Sequence, residues 1–249
     1  MNYREYGKGN VKTIILLHGG GLSWWNYREA AEMLGSGYHV ILPVLDGHAG
    51  CDRPFTTIED NAAEITEFID RQPGGKVHLI GGLSLGGQIL LEILTRRGDI
   101  CDFAVVESAM AIPSRLTNAL IGPSIGMSYK MISDRRFAEK QFRALRMKQE
   151  LFEDYYRDTC LIKKSDMTAF MKANTSYRLK DGIAGCTAKV HIFAGEKEIR
   201  GIRRSVELIH RKIPGSTLTI LPGLYHGEFS INTPADYVNV IQKAEGNGN

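Results

Sequence analysis

Long hydrophobic runs are missing from this 249-residue sequence. The longest apolar run near the start, Ile14 to Leu17, is far short of a signal-peptide core or a membrane span. A cytoplasmic protein with no membrane partner is therefore expected. Cysteine is scarce: Cys51, Cys101, Cys160 and Cys186 never approach CxxC spacing. That excludes a disulfide-stapled scaffold and leaves small hydrophobes with reduced thiols. No His/Cys cluster has zinc spacing, so no metal is expected. An excess of one charge is also lacking. Lys+Arg 31 against Asp+Glu 28 gives +3, too little to imply a nucleic-acid partner. With 43% hydrophobic and 24% charged residues, the composition is that of a globular protein with ample core material. The length fits one large domain, or a core carrying one insertion.

What is present is an alternation. Strand candidates are Lys12–Leu17, Tyr38–Pro43, Lys76–Ile80, Asp102–Val106, Lys189–Phe193 and Thr217–Leu221. Between them lie helical patterns such as Thr57–Arg71, where Ile58, Ala62, Ile65 and Ile69 recur at helical spacing. The segment Gln88–Leu94 is apolar nearly all round, as in a helix packed beneath a sheet. This order predicts an α/β fold, a mostly parallel central sheet with helices on both faces. Ligands in such sheets sit beyond the carboxyl ends of the strands.

The alternation breaks between Ile112 and about Arg178, where only helical patterns occur. The expected organisation is a core of residues 1–111 and 179–249 with a helical cap insertion, 112–178. From Pro113 to Arg178 there are 13 Lys+Arg and 7 Asp+Glu, a net of +6 against −3 for the rest. These charges are read as solvated helix faces, with recognition of an anionic ligand as the alternative. In Arg135–Lys148, a stripe of Ala138, Phe142 and Leu145 packs downward and leaves Arg and Lys outward. The Gly-Asn tail after Glu245 is expected to fray.

The strongest chemical signal is KVHLIGGLSLGG, Lys76 to Gly87. It holds Gly82-Leu83-Ser84-Leu85-Gly86, a G-x-S-x-G between a strand run and a helix. A serine hydroxyl is a weak nucleophile and must stand on a sharp turn within reach of an imidazole. The turn brings residues two before and two after it together, where only small ones fit. The following helix aims free N–H groups at any oxyanion formed there. Gly122-Pro123-Ser124-Ile125-Gly126 matches the same pattern without a preceding strand, and is read as a helix break.

A second segment, IILLHGGGLSWWNY (Ile14 to Tyr27), ends a strand in His18-Gly19-Gly20-Gly21. With these motifs the sequence resembles the α/β-hydrolase family over most of its length. The resemblance implies that Gly20 and Leu85 donate the oxyanion-hole N–H groups and that His18 is structural. It also implies a base at the end of the last strand, in STLTILPGLYHGEFS, which falls on His226. His39, His78 and His191 sit within strand patterns, His48 resembles a structural turn, and His210 lies on a helix. For the acid, the family's aspartate three residues after a glycine corresponds to Glu198 in Ala194-Gly195-Glu196-Lys197-Glu198. Glu107, in the position used by haloalkane dehalogenases, is the alternative. Ser84 stands where those relatives carry aspartate, which disfavours their chemistry. The usual first antiparallel strand is not matched, and Tyr3–Gly9 resembles the second alone. Trp24, Trp25 and Tyr225 are candidate substrate-binding residues, with packing an equal reading.

The activity implied is a serine hydrolase that cleaves an ester-like bond of a small molecule through an acyl-enzyme, without a cofactor. Alternatives are a carbon–carbon bond hydrolase of the meta-cleavage product type or a thioesterase. From another class, the fold also serves as a small-molecule sensor that signals through a partner protein.

Overall fold

Six short runs rich in Val, Ile and Leu, joined by an N-terminal strand, pair into one seven-stranded sheet in a computed structural model that describes residues 1–246, with side chains through Lys243. The strands are β1 (Asn2–Tyr6), β2 (Thr13–Leu17), β3 (His39–Val44), β4 (Val77–Leu83), β5 (Cys101–Glu107), β6 (Lys189–Gly195) and β7 (Thr217–Leu221). Their spatial order is β1-β3-β2-β4-β5-β6-β7, with β1 antiparallel to β3 and every other pair parallel. The sheet is therefore mostly parallel.

Such a sheet must be covered on both sides, and the pleat divides its residues accordingly. Ile15 and Leu17 of β2 and Ala104 and Val106 of β5 face a core shared with α2 (Ile58–Asp70), α3 (Leu85–Arg96) and α8 (Arg200–Lys212). Ile14, Leu16, Phe103 and Val105 face the opposite core, shared with α1 (Arg28–Leu34) and α10 (Pro234–Gly246). Helix α3 is packed between the sheet, α2 and the turn at Asp181–Gly185, so every residue from Leu85 to Leu94 is buried. Helix α2 begins where the Thr57 hydroxyl accepts the Asp60 N–H, an N-cap.

Between β5 and β6 run α4 (Arg115–Ser128), α5 (Arg135–Ala144), α6 (Phe152–Leu161) and α7 (Lys164–Ser176). The excursion closes on itself, because the Leu179 N–H donates to the Ala111 carbonyl at 3.2 Å. Polar contacts tie it to the sheet layer, two of them on core helices and turns. The Trp25 indole donates to Asp158 of α6 at 2.8 Å, and Gln88 of α3 exchanges hydrogen bonds with Asn174 of α7.

Two local expectations change. The second G-x-S-x-G does not break its helix. Pro123 sits inside α4, and the helix continues because Ile121 and Ile125 are buried beneath it. The stripe expected over Arg135–Lys148 stops early. Ala138 and Phe142 are buried, but α5 ends at Ala144, Leu145 is exposed, and Arg146 takes a positive φ of 56°. The chain turns there because the Lys148 N–H is held by Asn232 at 3.1 Å. The last three residues of the expected terminal tail lie outside the described residues. Among the described residues, no helix is long and apolar enough to cross a membrane. The short α9 (Glu228–Asn232) follows β7 and completes the chain order.

Candidate active site

The carboxyl ends of β2, β4, β5, β6 and β7 lie side by side, and each carries one of the residues singled out by sequence. At the end of β4, Ser84 adopts φ 52° and ψ −110°. A positive φ on a non-glycine residue costs on the order of 1–3 kcal/mol and persists only where the surroundings enforce it. The enforcement is visible. The Ser84 N–H donates to the Glu107 carbonyl at 2.9 Å, and its carbonyl accepts the Gln88 N–H at 3.0 Å, opening α3. A Cβ on Gly82 would stand 2.4 Å from the Gly86 oxygen, and one on Gly86 would stand 2.1 Å from the Leu17 oxygen. Both glycines of the motif are thus required by contact.

The His18–Gly21 loop leaves β2 alongside this turn. Two buried histidines fix it. His18 Nε2 accepts the Leu45 N–H at 3.1 Å, and its Nδ1 donates to the Gly19 carbonyl at 2.9 Å. His48 Nε2 accepts the Gly21 N–H at 3.0 Å, while Nδ1 donates to the Asp46 carbonyl at 2.9 Å. Burial holds the His18 imidazole well below its ordinary pKa and brings His48 down to about 4. Both rings are therefore neutral at physiological pH, as their acceptor nitrogens require. The loop brings Gly20 onto Leu85: a Cβ at Gly20 would lie 3.6 Å from the Leu85 Cβ. Leu85 is the first residue of α3, so its N–H belongs to the unpaired donors of that helix end.

After β7, His226 is about half exposed and lines the same cavity as Ser84. Its Nδ1 donates to Glu198 Oε2 at 2.8 Å. Glu198 itself is buried, and its other oxygen accepts the Ser108 hydroxyl at 2.5 Å and the Gly195 N–H at 3.0 Å. Burial pushes this carboxyl upward. The bonds from His226, Ser108 and Gly195 outweigh it and hold the group below its ordinary value. Glu198 is therefore an anion at neutral pH, and it fixes the proton on Nδ1, leaving Nε2 as a lone-pair acceptor. Among the described residues no hydrogen bond joins Ser84 to His226. Such bonds commonly tighten only when substrate is bound.

Glu107, the alternative acid, is elsewhere engaged. Its Oε1 accepts the Ser230 N–H at 3.3 Å, and burial pushes its carboxyl up to about 7. The geometry thus pairs His226 with Glu198 and gives Glu107 to the segment behind it. Sequence reasoning missed Ser108. Its φ of 56° is set by an N–H bond to the Phe193 carbonyl at 2.9 Å, and nothing in Glu107-Ser108-Ala109 announces that turn.

The three aromatic candidates lie outside the cavity. Trp25 is buried in the core beneath α1 with its indole on Asp158. Trp24 lines a separate recess near Arg4, with Arg4 and Arg28 guanidinium groups 5.3 and 4.9 Å from its ring. Tyr225 lies under Arg146, 3.7 Å from guanidinium carbon to ring centroid. The 3₁₀ turn at Trp24–Tyr27 aims Trp25 inward, and cations claim the other two rings. The cavity of about 370 Å³ is walled instead by side chains of the segment between β5 and β6, among them Ile125, Leu145, Met147, Met167, Phe170 and Met171.

Residues 14–240 match the family model described as the alpha/beta hydrolase family. Solved structures agree in fold at low identity. An esterase from Thermogutta terrifontis is 17% identical with a TM-score of 0.79, the match covering 99% of this chain and 93% of that one. An esterase from Exiguobacterium antarcticum is 19% identical with a TM-score of 0.80, covering 97% and 94%. A meta-cleavage product hydrolase from Pseudomonas fluorescens is 20% identical with a TM-score of 0.76, covering 100% and 94%. On the family match, which spans most of its length, the chain belongs to the α/β-hydrolase family.

Proposed function

We propose that this hydrolase is a serine esterase acting on a small-molecule ester-like bond through an acyl-enzyme. The observation that carries the reading is the 2.8 Å Glu198–His226 bond at the cavity that also exposes Ser84. Ser84 Oγ attacks the carbonyl carbon while His226 Nε2 takes its proton. The Gly20 and Leu85 N–H groups receive the charge that develops on the carbonyl oxygen. One such donor is worth about 2.7–4 kcal/mol of transition-state stabilisation. His226 then gives the proton to the leaving alcohol, and water, deprotonated by the same imidazole, releases the acid from Ser84. Glu198 stabilises the imidazolium in both halves. Helices α4–α7 act as a cap that shapes the pocket.

The esterase relatives support this bond class, and a complete set of nucleophile, base and acid favours turnover over sensing alone. The four unpaired thiols suit a cytoplasmic setting. A fluorophosphonate probe tests the core of the reading. Labelling is expected for the wild type, absent for Ser84→Ala and weak for His226→Ala. Unchanged labelling of Ser84→Ala refutes the nucleophile.

A further inference from the structure

The cavity at Ser84 is bounded on one side by the strand ends and on the other by the cap, and apart from His226 its lining residues are all uncharged. Its apolar wall is formed largely by Leu, Ile, Phe and three methionines, Met147, Met167 and Met171. Unbranched methionines re-pack easily, so this wall accommodates differing shapes while staying apolar. Neutral polar groups also line the cavity: Ser124 and Ser128 of α4, Gln141 of α5, and Tyr155 and Thr159 one turn apart on α6.

The cap is nevertheless strongly basic, and its charges go elsewhere. Of the Lys and Arg residues from Pro113 to Arg178, all are exposed except Lys148. Lys148 pairs with Glu29 at 2.5 Å. Arg157 binds Asp154 and Asp158, Arg135 binds Glu153, and Arg146, next to the wall residues Leu145 and Met147, stacks on Tyr225. The acidic side of the ledger is equally closed. Glu198 is saturated by three donors, and Glu107 is buried behind the site on Ser230. A carboxylate entering this cavity would lose its water and meet no cation, and an ammonium would meet no available anion.

We propose that the part of the substrate entering the cavity is electrically neutral. It would be a short, flexible acyl or alcohol chain against the methionine wall, with any polar group an uncharged one facing Gln141 and Tyr155. At about 30 Å³ per water-sized group, the volume of about 370 Å³ holds roughly a dozen such groups. This substrate class rests on Ser84 as the nucleophile.

The test is a set of p-nitrophenyl esters of matched length: pentanoate, methyl glutarate, hemiglutarate and 4-trimethylammoniobutyrate. Pentanoate and methyl glutarate are expected to share similar kcat/KM. The two charged esters are expected to fall by a factor on the order of 100, the scale of leaving a charge unpaired on binding. Gln141→Arg, which places a guanidinium on the wall, should raise the hemiglutarate-to-pentanoate ratio about tenfold. A wild-type kcat/KM for either charged ester equal to that for pentanoate overturns the proposal and leaves Ser84 in place. Turnover of the pentanoate that survives in Ser84→Ala, or no turnover of any ester, overturns the nucleophile and the substrate class together.

Discussion

Replacing Glu198 by glutamine removes one charge and almost no volume, and the surrounding bonds dictate how the amide must sit. The Oε1 position faces two donors, the Ser108 hydroxyl at 2.5 Å and the Gly195 N–H at 3.0 Å. A glutamine satisfies both only with its carbonyl oxygen there, because an NH2 group offers no acceptor. The NH2 is then turned toward His226 Nδ1, where the carboxylate oxygen stood at 2.8 Å. Two donors cannot face each other, so Nδ1 loses its proton and Nε2 gains it. The imidazole would then present N–H to Ser84, where a base must present a lone pair. The wrong tautomer in such a triad is worth about 10⁴ in kcat, or roughly 5 kcal/mol of barrier. Stopped-flow or steady-state hydrolysis of a p-nitrophenyl ester at pH 8 reads kcat directly, and circular dichroism verifies the fold. A Glu198→Gln enzyme with kcat within tenfold of wild type, beside a Glu107→Gln enzyme that loses it, refutes Glu198 as the acid.

Two further outcomes follow from the carboxyl groups behind the histidine. Glu107 has its folded pKa raised to about 7 from an unfolded value of 4.5, so the folded state binds the proton more tightly and stability falls as pH rises between those values. The loss is on the order of 3 kcal/mol; urea unfolding at pH 5 and pH 8 should show it in wild type and not in Glu107→Gln. For Ser108→Ala, loss of a hydrogen bond to a carboxylate removes part of what holds Glu198 ionised. The acid limb of the kcat/KM profile should shift upward with kcat down about tenfold and KM little changed, whereas an unmoved limb would assign Ser108 to packing alone.

The residues proposed to carry the chemistry were legible because each stands where a strand stops. Ser84 required small neighbours on a tight turn, and the contacts of Gly82 and Gly86 show why no other residue fits. Glu198 was reachable by counting from Gly195, since the Gly195 N–H bonds the very carboxylate that the count selects. The wall of the cavity was not legible. Whether an aromatic residue near the site lines it depends on partners far away in sequence. Trp25 turns inward to reach Asp158, 133 positions later, and Arg146 covers Tyr225 only because the chain leaves α5 early. Pro123 gave a local breaker signal that burial of Ile121 and Ile125 overrode. The roles of His48 and Ser108 depend likewise on loops folded across the sheet, for which periodicity carries no signal.

The closure of the excursion by the Leu179–Ala111 and Ser114–Thr175 backbone bonds has an evolutionary reading. The chain departs from the sheet and returns to it at one doorway, so everything inserted there is a cassette. The groups proposed to break bonds, Ser84, His226 and Glu198, are encoded outside it, and most of the side chains that line the cavity are encoded inside. Exchange of the inserted segment with that of a relative can therefore retarget selectivity in one genetic event, provided the incoming segment still answers the contacts the scaffold holds out to it, Trp25, Gln88 and Asn232 among them.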